Sequence, residues 1–218
     1  MKYLASLTIA ISAISAGQVS PTSGGRYTFA TKYVKGQVFK YNMGVQFTGP
    51  QPGNQKLGVV VKVLEVKPNG NKTIQTTTNV AGQKPQVTTI TLDKYSKPVD
   101  NNFGSFTGSL GLPLSPIKIG EKWSGDVQMA GGVAGGVPIK GKYTFKGFST
   151  INGTKVATIV FDMDMKALFN ATGSGTQVVR VSDGQLYSMN MVMNMDIPNP
   201  NTKKIAKAKI NMSVALTK

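Results

Sequence analysis

The sequence contains no histidine and no cysteine. The absence of cysteine excludes disulfides, thiol nucleophiles and cysteine-ligated zinc, and the absence of histidine excludes imidazole bases and Ser-His-Asp triads. Acidic residues are scarce as well, with nine Asp and Glu against 25 Lys and Arg and a formal net charge of +16. We therefore expect a protein that is not an enzyme and that uses no cofactor and no metal ion.

Leucine is also scarce, with 11 residues, while valine (22), threonine (21) and isoleucine (13) are abundant. β-Branched side chains fit the pleated surface of a sheet and crowd an α-helix. The composition therefore predicts a chain made mainly of strands.

The N-terminus has the composition of a targeting segment. Lys2 is followed by an uncharged stretch rich in Leu, Ile and Ala, which ends in small residues at Ala16 and Gly17. This order is typical of a secretory signal peptide, and the apolar run is shorter than the about 20 residues that a spanning helix needs. We expect residues 1–17 to be removed and residues 18–218 to form one exported domain. Its predicted location is the periplasm, the cell envelope or the medium, without a membrane span after maturation.

Apolar and polar residues alternate along several long segments. The apolar residues occupy every second position within 39–47, 157–165, 187–197 and 206–216. Successive side chains of a strand point to opposite faces, so each segment has one dry face and one wet face, as in antiparallel sheets. Tight hairpins are predicted where these segments are separated by Asn69-Gly70, Asn152-Gly153 and Asp183-Gly184. The predicted fold is all-β, with long antiparallel strands in a meander that forms a half-barrel, a barrel-like sheet or two packed sheets.

Two parts of the chain show a weak internal sequence repeat. Gly36 and Gly120 each precede a predicted strand, and an Asn-Gly pair follows each of them at a similar distance. Two duplicated β-units, at about residues 26–100 and 117–218, would explain this pattern, and so would chance, because Gly and Asn are common in β proteins. Residues 101–116, rich in Gly, Ser and Pro, are predicted to connect the two.

Several short strings carry a resemblance to a known group of proteins. They are residues 33–41 (YVKGQVFKY), Pro113, residues 119–123 (IGEKW) and the Gly173-x-Gly175 pair before Asp183-Gly184. The chain resembles a family of exported bacterial β-rich proteins of unassigned function, and its strand plan is loosely similar to periplasmic half-barrels that carry lipids or lipoproteins. The resemblance implies a fold and brings no catalytic residues.

The most unusual feature is a ladder of methionines at alternate positions, at Met163, Met165 and then from Met189 to Met195. Three interpretations are open: an ordinary core, since Met fills irregular gaps; an apolar cavity for a lipid-like ligand; or a thioether site for Cu(I). Copper is the weakest of these, because no His or Cys assists. The residues predicted to face a ligand are Tyr187, Met189, Met191, Met193 and Met195.

The positive charge comes from 23 Lys and only two Arg. Specific nucleic-acid recognition favours Arg, whose planar group binds bidentately, so we expect no specific nucleic-acid partner. The densest basic cluster, and the predicted anion-binding surface, is Lys203, Lys204, Lys207 and Lys209. Charged residues on a strand also prevent edge-to-edge aggregation, which is an alternative purpose for this cluster. Asp162 and Asp164 share a polar strand face and are interpreted as surface residues.

Two functions follow from these observations. The first is an exported, non-enzymatic β-protein that binds a lipid-like or other hydrophobic ligand in an apolar concavity. The alternative is a structural or adhesive envelope protein that binds anionic polymers through its lysines. Alternating strands also occur in outer-membrane barrels, but aromatic residues make up only 8% of this chain, and the aromatic girdles of such barrels are hard to assemble from it.

Overall fold

A computed structural model describes residues 11–12, 17–49, 52–93, 99, 106–107, 111–129, 137–165, 171–198 and 205–217. These residues are almost entirely strand, as the composition predicts, and they contain no α-helix. The strands are β1 (Ile11–Ser12), β2 (Gly17–Thr22), β3 (Arg26–Thr31), β4 (Val38–Thr48), β5 (Gly53–Val66), β6 (Lys72–Val80), β7 (Gln86–Leu92), β8 (Phe106–Thr107), β9 (Lys122–Met129), β10 (Val137–Ile151), β11 (Thr154–Met165), β12 (Ala171–Arg180), β13 (Leu186–Pro198) and β14 (Ile205–Thr217). No helix in the described ranges has the length and apolarity needed to cross a bilayer.

Ten long strands form one antiparallel meander sheet. The order across the sheet is β9-β10-β11-β12-β13-β14-β4-β5-β6-β7, with the two-residue strands β8 and β1 beside β9. The predicted antiparallel meander is therefore confirmed. The sheet is not closed within the described residues: its edge strands, β7 on one side and β1 beside β8 on the other, do not pair with each other.

The sheet is dry on one face and wet on the other. Buried residues from eleven strands and from the segments beside them join in a single hydrophobic cluster that runs from Val19 to Val214. Among the described residues only the two-stranded β2–β3 sheet lies outside this large sheet, and a long twisted sheet without a second layer is expected to curl around its dry face. We call this dry side the concave face.

The hairpin of β2 and β3 covers one end of the concave face. The Val19 amide donates a hydrogen bond to the Val181 carbonyl at 3.2 Å, and Tyr27 and Ile117 exchange two backbone hydrogen bonds of 2.8 and 2.9 Å. The Phe29 ring packs edge-on against Phe145 at a centroid distance of 5.2 Å. The hairpin therefore seals this end with aromatic side chains.

The three predicted tight turns connect strands as expected. Asn69-Gly70 lies between β5 and β6, Asn152-Gly153 between β10 and β11, and Asp183-Gly184 between β12 and β13. Asn152 and Gly153 both have positive φ, 48° and 76°, which is the geometry that hairpins of this twist require.

The entrances to β4 and β9 are built in the same way. Gly36 and Gly120 have φ values of 85° and 84°. In each turn the first amide, of Val34 or Lys118, donates to the side-chain oxygen of the residue three positions later, at 3.0 Å to Gln37 and 2.9 Å to Glu121. A bulge then follows Val63 in β5 and Phe145 in β10, the two residues whose carbonyls accept from Gly36 and Gly120. Two copies of one β-unit would share these details, although both copies belong to one sheet here.

Candidate functional site on the concave face

The alternation in β13 places its methionines on the concave face. Met189, Met191 and Met193 are at most 5% exposed, while Asn190 between the first two and Asn194 after the last are exposed. The side-chain period of a strand is two residues, so three consecutive odd positions share one face. Three of the five residues predicted to face a ligand are therefore brought together on the dry side of the sheet.

Neighbouring strands add three more buried methionines. Met212 of β14 lies directly opposite Met191, and Met43 of β4 lies two strands from Met189, with Val214 between them. Met163 of β11 is buried as well. We call this group the methionine cluster; its members are Met43, Met163, Met189, Met191, Met193 and Met212.

Glycines in β12 make room for the cluster. Gly173 lies between Met163 and Met193, opposite both, so no side chain separates the two thioethers on that strand. A Cβ at Gly175 would lie 2.5 Å from Cζ of Phe161 and would also clash with the Asn190 carbonyl. The Phe161 ring therefore occupies the space above Gly175, and the Gly-x-Gly string is a packing requirement.

The predicted alternation does not hold at the start of β13. The register with β12 shifts between Val178 and Val179, so that Leu186 pairs with Val179 and Tyr187 is the extra residue of a bulge. Leu186 is fully buried and Tyr187 only half-buried, so Leu186 takes the place that the sequence assigns to Tyr187. At the other end of β13, Met195 is half-buried.

Polar side chains interrupt the concave face next to the methionine cluster. Gln177 of β12 is 0% exposed and lies between Ile159 and Met189, its partners on the two neighbouring strands. Gln185, in the turn between β12 and β13, is also fully buried, and Tyr41 of β4 nearly so. Four buried polar groups have no hydrogen-bond partner within the described part of the chain. They are the side-chain amides of Gln177 and Gln185, the Tyr41 hydroxyl and the Thr76 hydroxyl of β6.

The turn that carries Gln185 also holds an ion pair. The Arg180 guanidinium binds the Asp183 carboxylate through Nε at 2.9 Å and through Nη2, and the hydrogen bond to Asp183 raises the pKa of Arg180. The backbone N–H of Gln185 donates to the same carboxylate at 3.1 Å. Burial raises the pKa of Tyr41 well above its usual range, and both Arg180 and Asp183 influence it, which places Tyr41 near this turn. The charges of Arg180 and Asp183 therefore neutralise each other.

Lys72 of β6 is a buried cation at 3% exposure. Its Nζ lies 4.7 Å from the centre of the Tyr33 ring, within the range of a cation–π interaction. Burial lowers the pKa of Lys72 to about 8, against a smaller opposing effect of Asp93. No sequence pattern distinguished this lysine from the 22 others.

The predicted anion-binding surface is described only in part. Lys207 and Lys209 are exposed on the wet face of β14, where they lie opposite Asp196 and Asn194. Lys203 and Lys204 lie outside the described residues. Asp162 and Asp164 are exposed, as predicted for surface residues. Among the described residues no group of three or more Asp and Glu is placed to hold a metal ion.

The sequence analysis missed the polar residues of the concave face. Gln177 is separated from Gly173, Gly175 and Val179 by even numbers of residues. The alternation of side chains along a strand therefore places it on the same, dry face. Its polarity concealed this, because the alternation was read from apolar residues alone. Gln185 precedes the bulge and has no periodic signal at all.

Comparison with protein-family models gives no match for this chain. A search of curated proteins finds none either.

Proposed function

We propose that this chain is an exported, non-enzymatic β-protein that binds a lipid-like or other hydrophobic ligand on its concave face. The observation that carries the proposal is the methionine cluster, six thioether side chains gathered from four strands on the dry side of an open sheet. Met is unbranched and polarisable, so it adapts to apolar ligands of different shape. Export and the carrier role agree with the resemblance to exported β-rich proteins and periplasmic half-barrels.

The burial gradient suggests where a ligand enters. Along β13 the side chains of the concave face change from the fully buried Leu186 to the half-buried Met195. Phe47, at the same end of β4, is also half-buried. The opposite end is covered by the β2–β3 hairpin, so we assign ligand access to the Met195 end.

Binding of a fluorescent fatty-acid probe and native mass spectrometry of gently purified protein test this proposal. We expect saturable probe binding or a co-purifying lipid, and binding that persists in 1 M salt, because burial of apolar area is not screened by ions. A protein that carries no lipid and binds no probe at any salt concentration would contradict the proposal.

The alternative function uses the wet face, where Lys207 and Lys209 are exposed. If the lysines bind anionic envelope polymers, attachment should fall steeply as the Debye length shortens from about 10 Å at 0.1 M to about 3 Å at 1 M salt. Replacement of Lys203, Lys204, Lys207 and Lys209 by Gln should weaken polymer attachment and leave probe binding intact. The opposite result would assign the ligand to the wet face.

A further inference from the structure

We propose that the concave face selects a single-chain amphiphile with an uncharged head group that both donates and accepts hydrogen bonds, such as a hydroxyl or a carboxamide. The head group would bind at Gln177, Gln185 and Tyr41, and the hydrocarbon chain would lie along the methionine cluster. This inference depends on the proposed function, since it names the chemical class of the ligand.

Some buried polar side chains of the concave face have no hydrogen-bond partner within the described residues. Buried polar groups in folded proteins almost always have a hydrogen-bond partner, and each exception requires an explanation. One exception in the described part of the chain is the Thr76 hydroxyl of β6; two fully buried glutamine amides and the Tyr41 hydroxyl form a separate group near the closed end of the concave face. These groups lie beside the methionine cluster, which is fully buried toward Leu186 and half-buried toward Met195.

The polar and apolar groups are arranged in the order of an amphiphile. From Met193 through Met191 to Met189, the strand advances four residues, about 13 Å at 3.3 Å per residue. Gln177 lies directly opposite Met189, and Gln185 precedes Leu186 at the closed end of the same strand. A ligand that enters at Met195 would therefore reach the glutamines with its leading end and cover the methionines with its chain.

The ion pair in the turn beside Gln185 favours an uncharged head group. Arg180 and Asp183 already form an ion pair with each other, so neither is free to compensate a buried carboxylate or ammonium. Burial of an uncompensated charge is far more costly than burial of a hydroxyl. Amide and hydroxyl side chains each donate and accept, so they match a head group that does both.

Displacement of the uncharged probe N-phenyl-1-naphthylamine tests the inference. The competitors are dodecan-1-ol, its methyl ether, which accepts but cannot donate, and dodecanoate at pH 8. We expect dodecan-1-ol to displace the probe at about tenfold lower concentration than the ether, since one hydrogen bond to a buried group is worth about that factor. Dodecanoate should be weaker than the alcohol.

Gln177→Leu should remove the preference for the alcohol over the ether and keep the affinity for the ether. Gln46→Leu is the matched control, because Gln46 is exposed on the wet face of β4; it should keep the preference. Equal displacement by alcohol and ether in the wild type would overturn the inference even if Gln177→Leu did not fold. So would tighter binding of dodecanoate, or an unchanged preference in a folded Gln177→Leu protein.

Failure of the proposed function gives a different result. In that case neither the probe nor any of the three competitors binds, and the inference fails with it. Probe binding without head-group preference contradicts the inference alone.

Discussion

Met193 and Asn194 are consecutive in β13, yet Met193 is buried and Asn194 is exposed. Met193→Asp would place a carboxylate on the concave face, so we expect it to lower the free energy of unfolding by several kcal/mol, at least about 3. Asn194→Asp should change it by about 0.5 kcal/mol or less, because the new charge stays in water opposite Lys209. Urea denaturation of both variants measures the difference. Equal losses would mean that the two faces are assigned wrongly.

Lys72 predicts an unusual pH dependence of stability. Its pKa is about 8 in the folded protein because the side chain is buried, and about 10.4 when unfolded. The unfolded chain therefore binds more protons between these values, and this residue's contribution to stability should rise as the pH increases from about 8 to 10. Denaturation at pH 7 and pH 9.5 measures it.

Lys72→Met is the control for this effect, since it keeps an apolar stem on the concave face and has no proton to lose. The variant should be more stable than the wild type at pH 7 and should show no such rise toward pH 9.5. Above about pH 10 the raised pKa of Tyr41 acts in the opposite direction, because only the unfolded tyrosine ionises there. A rise of equal size in Lys72→Met would exclude Lys72 as its origin.

At the scale of elements, β12 and β11 fit together only because Gly175 has no side chain. Gly175→Ala forces a Cβ against Phe161 and the Asn190 carbonyl, so we expect a loss of about 1–3 kcal/mol from overpacking. The matched control is Gly58→Ala in β5, where a new Cβ would find its nearest atom, Asn79 Cβ, at 3.8 Å. Thermal unfolding should separate the two variants, and a Gly175→Ala protein as stable as Gly58→Ala would show that the Phe161 ring is not held there.

The strands could be predicted from sequence because a half-buried strand requires period two, and β4, β11, β13 and β14 all show it. The bulge at Leu186 and Tyr187 could not be predicted, because one extra residue moves the side chains to the opposite face without changing the composition. The burial of Gln177 could be predicted, because it lies two residues from Gly175 and from Val179 and so shares their face of the strand. The lack of hydrogen-bond partners at Gln185 and Tyr41 could not be predicted, since it depends on which distant strands come together.

The predicted export of the whole molecule can be tested at its N-terminus. We expect N-terminal sequencing of the mature protein to begin at Gly17 or Gln18. Cleavage at that point leaves the β2–β3 hairpin in place, because its pairing begins between Gly17 and Thr31. Recovery of the chain from the cytoplasm with Met1 still present would contradict the prediction.

The pairing of β14 with β4 determines how the whole sheet can assemble. All other neighbours among the ten long strands are consecutive along the described chain, but this seam joins Thr217 to Lys40. Closing so long a loop has a large entropic cost and slows folding relative to the local hairpins. The sheet consists of two runs of consecutive strands, β4–β7 and β9–β14, and each run can begin to pair alone. Neither run encloses the concave face until β14 pairs with β4. The concave face can therefore be completed only after β14 has paired with β4, so we expect it to be the last part of the sheet to form.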